Sequence, residues 1–290
     1  MQPKTILIVG LGLLGASLGM ALRGHGCRRL GWARRESTRN AALELDVIDE
    51  TSDEVDALLA RAELTVLAMP IPANIEFIRQ HRGLWRQGAV ITDLGSTKSS
   101  IVSAAAEALA GSGVRFVGSH PMAGTEKSGI GAAFAELYAN AEVFVVPGDC
   151  PEATAKVEKL WRAIGARTVR IGAAEHDDLV AHTSHVPHIL ASALTLSVLS
   201  CADPAERARR FSGCATGFRD TSRIASSNPV MWREIIENNR EAVLAAMADF
   251  DRFYEEFRKL ITAEDFDAFE KDFAAGKALR DEWMAYKYQK

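Results

Sequence analysis

The sequence predicts an α/β protein: a mostly parallel sheet covered by helices, followed by an all-helical segment. Three observations predict this. Short apolar runs alternate with helical patterns through about the first 170 residues, which implies crossover units and strands buried on both faces. A glycine loop follows the first run at once. From about Ala174 the strand-like runs stop, and long amphipathic segments take over.

The elements follow in order. Ile6-Leu7-Ile8-Val9 is the first strand, Gly10-Leu11-Gly12-Leu13-Leu14-Gly15 the loop, and Ala16 to Arg23 the helix it opens. Further strands are expected at Arg29–Trp32, Leu64–Ala68, Ala89–Thr92, Arg115–Gly118, Val143–Val146 and Thr168–Ile171. Amphipathic helices lie between many of them, notably Ser99 to Ala110 and Glu152 to Ile164. Then come helices at Glu175–Ser200, kinked at Pro187, and at Ala205–Arg210, Pro229–Leu260 and Ala263–Tyr286. These divide the chain into a nucleotide-binding domain, 1–171, and a helical domain, 172–290. The apolar stripes of the second half call for a partner, most simply a second copy of the chain.

Composition narrows the function. With 290 residues, 48% apolar and 25% charged, the chain is an ordinary globular protein of two domains. A net charge of −4 with scattered basic residues gives no footprint for nucleic acid or a membrane surface. No uncharged apolar run reaches the roughly 18 residues of a membrane span, and no basic-then-apolar leader precedes the first strand. Cys27, Cys150, Cys201 and Cys214 share no metal-type spacing, which fits reduced thiols in a cytoplasmic enzyme.

In Gly10-x-Gly12-x-x-Gly15 each glycine has its own task. Gly10 permits the tight turn, Gly12 admits a pyrophosphate to the backbone, and Gly15 lets helix and strand approach. The helix N-terminus then offers unpaired N–H groups and the positive dipole end to the phosphates, with Leu13 and Leu14 of the loop counted in the cofactor site. This is a Rossmann-type dinucleotide site. An acid at the end of the second strand would select NAD, but the sequence there is Ala33-Arg34-Arg35-Glu36-Ser37. Arg34, Arg35 and Ser37 suit a 2′-phosphate, so NADP is the preferred cofactor and NAD a possible one.

Three polar segments carry the chemistry. Asp93-Leu94-Gly95-Ser96-Thr97-Lys98 follows the fourth expected strand, at the sheet edge where ligands bind. Ser96 reads equally well as a substrate contact and as the cap of the next helix. His120-Pro121-Met122-Ala123-Gly124-Thr125-Glu126 places a histidine in a glycine-flanked loop, as a base for hydride-transfer chemistry requires. Gly217-Phe218-Arg219-Asp220-Thr221-Ser222-Arg223-Ile224-Ala225 brings two arginines and an acid together, which taken alone also reads as a solvated charge cluster. His182, His185 and His188 are spaced three apart, but no partner with ligand spacing accompanies them, so no metal is expected.

These segments, with Ser184-His185-Val186-Pro187-His188 and Asn228-Pro229-Val230-Met231-Trp232, resemble the prephenate/arogenate dehydrogenase family over essentially the whole chain. The resemblance implies oxidative decarboxylation of a cyclohexadienol, as a step of tyrosine biosynthesis. It makes His120 the base that accepts the C4 hydroxyl proton and Ser96 the residue orienting hydroxyl and nicotinamide. Arg223 then binds a substrate carboxylate, His188 lies by the substrate side chain, and Glu126 acts as a gating acid able to pair with Arg223. Trp232 and Asp220 fall near the dimer interface, where the family's subunits complete each other's sites.

Prephenate is the expected substrate, with arogenate or dual use as the alternative. Thr216 stands where many members have glycine, which leaves side-chain pocket size open. Up to Lys290 there is no room for a regulatory domain, so feedback by tyrosine would act at the active site. A β-hydroxyacid dehydrogenase or imine reductase would use a lysine on the interdomain helix, and Glu175 to Ser200 contains none. A non-catalytic NADP sensor would leave His120, Ser96 and Arg223 without a purpose.

Overall fold

The computed structural model describes residues 3–125 and 127–288. Their order is β1 (Thr5–Val9), α1 (Leu13–Ala21), β2 (Arg28–Trp32), α2 (Glu36–Glu44), β3 (Glu50–Thr51), α3 (Val55–Leu59), β4 (Leu64–Leu67) and α4 (Ile71–Gln80). There follow β5 (Val90–Asp93), α5 (Ser99–Ala108), β6 (Arg115–Pro121), β7 (Glu142–Val146), α6 (Pro151–Ala163) and β8 (Arg167–Arg170). The helical part holds α7 (Ala173–Val180), α8 (Val186–Leu199), α9 (Pro204–Gly213), α10 (Thr216–Ser222), α11 (Pro229–Asn238), α12 (Arg240–Thr262) and α13 (Phe266–Tyr288).

The eight strands form one sheet in the order β3-β2-β1-β4-β5-β6-β7-β8. Every pairing is parallel except β6 with β7. Alternation along β1 sends Ile6 and Ile8 into one apolar layer and Leu7 and Val9 into the other, all fully buried. Each such side chain contributes roughly 1.5–3 kcal/mol on burial. The chain crosses from β3 over β1 to β4, so a crevice opens beyond the carboxyl ends of β1 and β4, where such sheets bind ligands. The short β3 was not apparent in the sequence, so Asp93 ends the fifth strand and not the fourth.

Two predicted helices differ in detail. The stretch 175–200 is interrupted by a wide π-type turn, Ala181–His185, rather than by a kink at Pro187. Pro187 sits in the first turn of α8, where its missing N–H costs nothing. The stretch 229–260 breaks at Asn239, whose backbone leaves helical geometry (φ −128°). Asn228 starts α11 by accepting from the N–H groups of Val230 and Met231 at 2.9 and 3.2 Å, ahead of Pro229.

The chain falls into two compact units, Met1–Arg240 and Glu241–Lys290. Helices α7 to α11 belong to the first with the sheet. In the second, Phe257 and Phe269 meet edge to face with centroids 5.6 Å apart. Phe253, Tyr254, Ile261, Phe273 and Leu279 there remain exposed. Among the described residues no helix is long and apolar enough to cross a membrane.

Candidate active site

Gly10 adopts φ +99°, open to glycine alone at no cost, and a Cβ there would strike the backbone of Ala68. Gly15 lies under it, since a Cβ on Gly15 would sit 1.9 Å from the Gly10 carbonyl. A Cβ on Gly12 would meet no protein atom, so that backbone faces open space. Gly12 also caps α1 and has no side chain to occupy the N–H groups of Leu13, Leu14 and Gly15. These features fit a pyrophosphate at the helix N-terminus.

The cleft beyond them has a volume of about 1270 Å³. Trp32, Val55, Met69, Phe77 and His81 form an apolar and aromatic part of its wall, and Arg34, Arg35 and Thr38 a polar part. Phe77 and His81 stack at 4.1 Å. Arg34 and Arg35 are exposed, whereas Ser37 is exposed but does not line the cleft; Thr38, one residue on, does.

His120 stands near the end of β6, one strand beyond Asp93 in the sheet, and so on the carboxyl edge. Its Nδ1 lies 2.9 Å from Nε2 of His176, and Nδ1 of His176 lies 2.9 Å from Oδ1 of Asp177. An ionised Asp177 accepts the His176 Nδ1 proton, so His176 Nε2 accepts from His120 Nδ1. The lone pair of His120 is thereby left on Nε2. Burial first, then His176, Lys98 and His185, holds His120 well below the usual imidazole range. It is a neutral base across the physiological range.

Asp177 has a second task. Its carboxylate accepts from the backbone N–H groups of Lys98 and Ser99, at 2.7 and 2.8 Å, and so caps α5. Burial opposes its charge, but the bonds from His176, Ser99 and Lys98 outweigh this and hold it below the usual carboxylate range. Ser96, one reading of which was the cap of α5, is half-buried and bonds to no described residue. The hydroxyl of its neighbour Thr97 is buried without a partner among the described residues. Beneath this loop the fully buried Lys98 ammonium pairs with the fully buried Asp93 carboxylate. Asp93 also accepts from the N–H groups of Gly95 and Ser119, at 2.8 and 3.2 Å, joining β5 to β6.

The helical side of the site is a chain of contacts. The Asn239 amide donates to the Asp177 carbonyl (2.7 Å) and lies 3.2 Å from Nδ1 of His185. Burial pushes His185 down to about 4. His185 meets Trp232 edge-on at 5.8 Å, and Trp232 stacks on His188 at 3.9 Å. His188 donates from Nδ1 to the Ser184 carbonyl (2.8 Å), which leaves Nε2 as its acceptor. Burial, and the positive charge of nearby Arg223, lower its pKa against that bond.

Arg223, at the start of a single 3-10 turn, is exposed. Asp220 is exposed and pairs with Arg219 at 3.0 Å. Glu126 lies outside the described residues. His182 turns away to the Asp178 carbonyl at 3.0 Å, so the wide turn sends the three spaced histidines to different partners.

The sequence does not single out His176, Asp177 or Asn239, and within the segment Asp93–Lys98 it marks Ser96 but not the buried pairing of Asp93 with Lys98. Glu175-His176-Asp177-Asp178 looks there like a solvated helix start. Only the docking of α7 buries His176 completely.

Comparisons with known proteins place this arrangement. Residues 18–170 match the family model "Prephenate dehydrogenase, nucleotide-binding domain", and residues 172–275 match "Prephenate dehydrogenase, dimerization domain". Prephenate dehydrogenase of Lactococcus lactis subsp. cremoris is 34% identical, over 98% of this chain and 78% of that protein. Cyclohexadienyl dehydrogenase of Zymomonas mobilis is 32% identical, over 90% and 88%. A crystal structure of A. aeolicus prephenate dehydrogenase, in complex with hydroxyphenyl propionate and NAD+, superposes with a TM-score of 0.89. It is 29% identical, with 97% of this chain and 98% of that one covered. The glycine loop, the buried histidine relay and these matches over both halves lead to one assignment: the chain belongs to the prephenate dehydrogenase family.

Proposed function

We propose that this chain oxidises and decarboxylates prephenate to 4-hydroxyphenylpyruvate with NADP as preferred acceptor, as a step of tyrosine biosynthesis. The observation that carries the reading is the free Nε2 of His120, whose tautomer His176 and Asp177 set on the carboxyl edge and which burial above all keeps neutral. When bound, the nicotinamide supplies the hydride acceptor. His120 Nε2 takes the proton of the C4 hydroxyl, and Ser96 orients that hydroxyl. Arg223 engages a substrate carboxylate and His188 the side chain, so the ring is held in register. Trp232 backs His188 as a stacked wall. The ring carboxylate leaves as carbon dioxide, the electrons of the broken C–C bond complete the aromatic ring, and aromatisation makes the reaction effectively irreversible.

Arg34, Arg35 and Thr38 line the cleft where a ribose 2′-phosphate would sit, which supports NADP over NAD. The exposed aromatic side chains of α12 and α13 support a homodimer formed through the helical segment, 172–290. The reading places the enzyme in the cytoplasm, acting on a small molecule, without nucleic acid or membrane.

One observation favours arogenate as a second substrate. Neutral His188 offers Nε2 as an acceptor, which suits an ammonium donor. Steady-state kcat/KM for prephenate and arogenate, each with NADP and NAD, tests both readings through absorbance of the reduced nicotinamide. Turnover of neither substrate would overturn the proposal. We also predict that His120→Asn loses at least ~10²-fold in kcat while still binding NADP in calorimetry.

A further inference from the structure

We propose that Arg39 is a positioning residue for 2′-phosphate recognition, acting by organising the β2–α2 turn and by cancelling the charge of Asp53. The inference rests on the NADP reading above. Arg39 lies in α2, one turn beyond Arg35, and is 6% exposed. Its guanidinium donates from Nη1 to the carbonyls of Ala33 (2.8 Å) and Arg34 (3.3 Å). Nη2 pairs with the carboxylate of Asp53.

The three arginines of this segment divide the work. Arg39 spends its planar fork on the protein interior, a task for which a rigid guanidinium is suited. Arg34 and Arg35 stay exposed and line the cleft. By drawing the Ala33 and Arg34 carbonyls toward itself, Arg39 keeps two acceptor oxygens away from the place where an anion must bind.

Asp53 gives the pairing its consequence. An acid beside the end of the second strand accepts a ribose 2′-hydroxyl and repels a 2′-phosphate. This chain has none in the turn itself, but it brings one from the β3–α3 loop. The Trp32 indole N–H lies 3.5 Å from the Asp53 carbonyl, so that loop abuts the end of β2. One guanidinium separates the Asp53 carboxylate from the Ala33 carbonyl. Arg39 thus pairs the otherwise exposed Asp53 carboxylate beside the cleft that Arg34 and Arg35 line, and so offsets an NAD-type acid at this edge.

Calorimetry of the cofactor-free protein with NADP+, NAD+ and adenosine 2′-monophosphate tests this, with thermal unfolding read alongside. For Arg39→Met, the expected result is about tenfold or greater weakening toward NADP+ and the monophosphate, with NAD+ affinity unchanged or improved. Adding Asp53→Asn to that variant is expected to return part of the NADP+ affinity. Arg39→Lys, which keeps the charge and folding but loses the fork, is expected to weaken NADP+ selectively by a smaller factor. Equal weakening toward both cofactors, or none, in Arg39→Met and Arg39→Lys would overturn the proposal. The paired control is Arg34→Ala/Arg35→Ala. If that variant shifts the NADP+/NAD+ ratio and the Arg39 variants do not, only the Arg39 role falls. If it does not shift the ratio, the NADP reading falls and the Arg39 role with it.

Discussion

His176 lies 2.9 Å from His120 although 56 positions separate them in the chain. The contact joins the end of β6 to α7, the first helix after the sheet. It also fixes the tautomer of His120, because Asp177 anchors the far nitrogen of His176. The same carboxylate caps α5 and so holds the loop that carries Ser96. One acid therefore aligns the proposed base and the proposed orienting hydroxyl.

The first prediction concerns that relay. His176→Asn and Asp177→Asn should lower kcat about 10- to 100-fold with little change in KM, since each frees His120 to adopt the wrong tautomer. Steady-state kinetics on both variants checks this. Unchanged kcat in both would show the relay to be structural only.

The second concerns pH. A neutral imidazole is the base, and burial and its neighbours hold the His120 pKa well below 6.5. Activity governed by this group persists as pH falls through 6.5 and declines only below the depressed value. We predict that the acid limb of the kcat/KM profile lies clearly below pH 6.5. A midpoint at or above 6.5 would contradict the burial argument.

The third concerns Arg223. Losing a charge-assisted contact of roughly 1.5–3 kcal/mol should raise KM for prephenate about 10- to 100-fold in Arg223→Ala. NADP affinity, measured by calorimetry, should stay within about twofold. A KM equal to that of the parent enzyme would remove Arg223 from the substrate site.

The fourth concerns the buried pair under the loop. Lys98→Met leaves the Asp93 carboxylate buried without its cation, at an expected cost of about 3–5 kcal/mol in denaturant unfolding. Lys98→Met combined with Asp93→Asn should recover a large part of that loss. Equal stability of the single and double variants would show that the pair is not coupled.

Much of this protein can be read one residue at a time. The alternation of Ile6-Leu7-Ile8-Val9, the spacing of Gly10, Gly12 and Gly15, and the missing acid at Ala33 each follow from local rules. Strand and helix order follows because hydrophobic period is a short-range property. Ends and breaks were less legible. The π-type turn at 181–185 and the break at Asn239 arise because His185 and Asn239 are drawn to partners far along the chain. No local pattern marks such a pull. Nor does the two-residue β3 carry enough alternation to be seen.

The sequence by itself determined the sheet-then-helices order, the dinucleotide loop and the presence of His120, Ser96, His188 and Arg223 as chemically capable side chains. Only the tertiary structure decided which groups surround them. His176 and Asp177 became the support of His120 because α7 docks on the carboxyl edge and removes both from water. Arg39 became an organiser of the β2–α2 turn because Asp53 arrives from another loop. Charge and hydrogen bonding act through space at a few ångströms, and only the folded chain sets those distances.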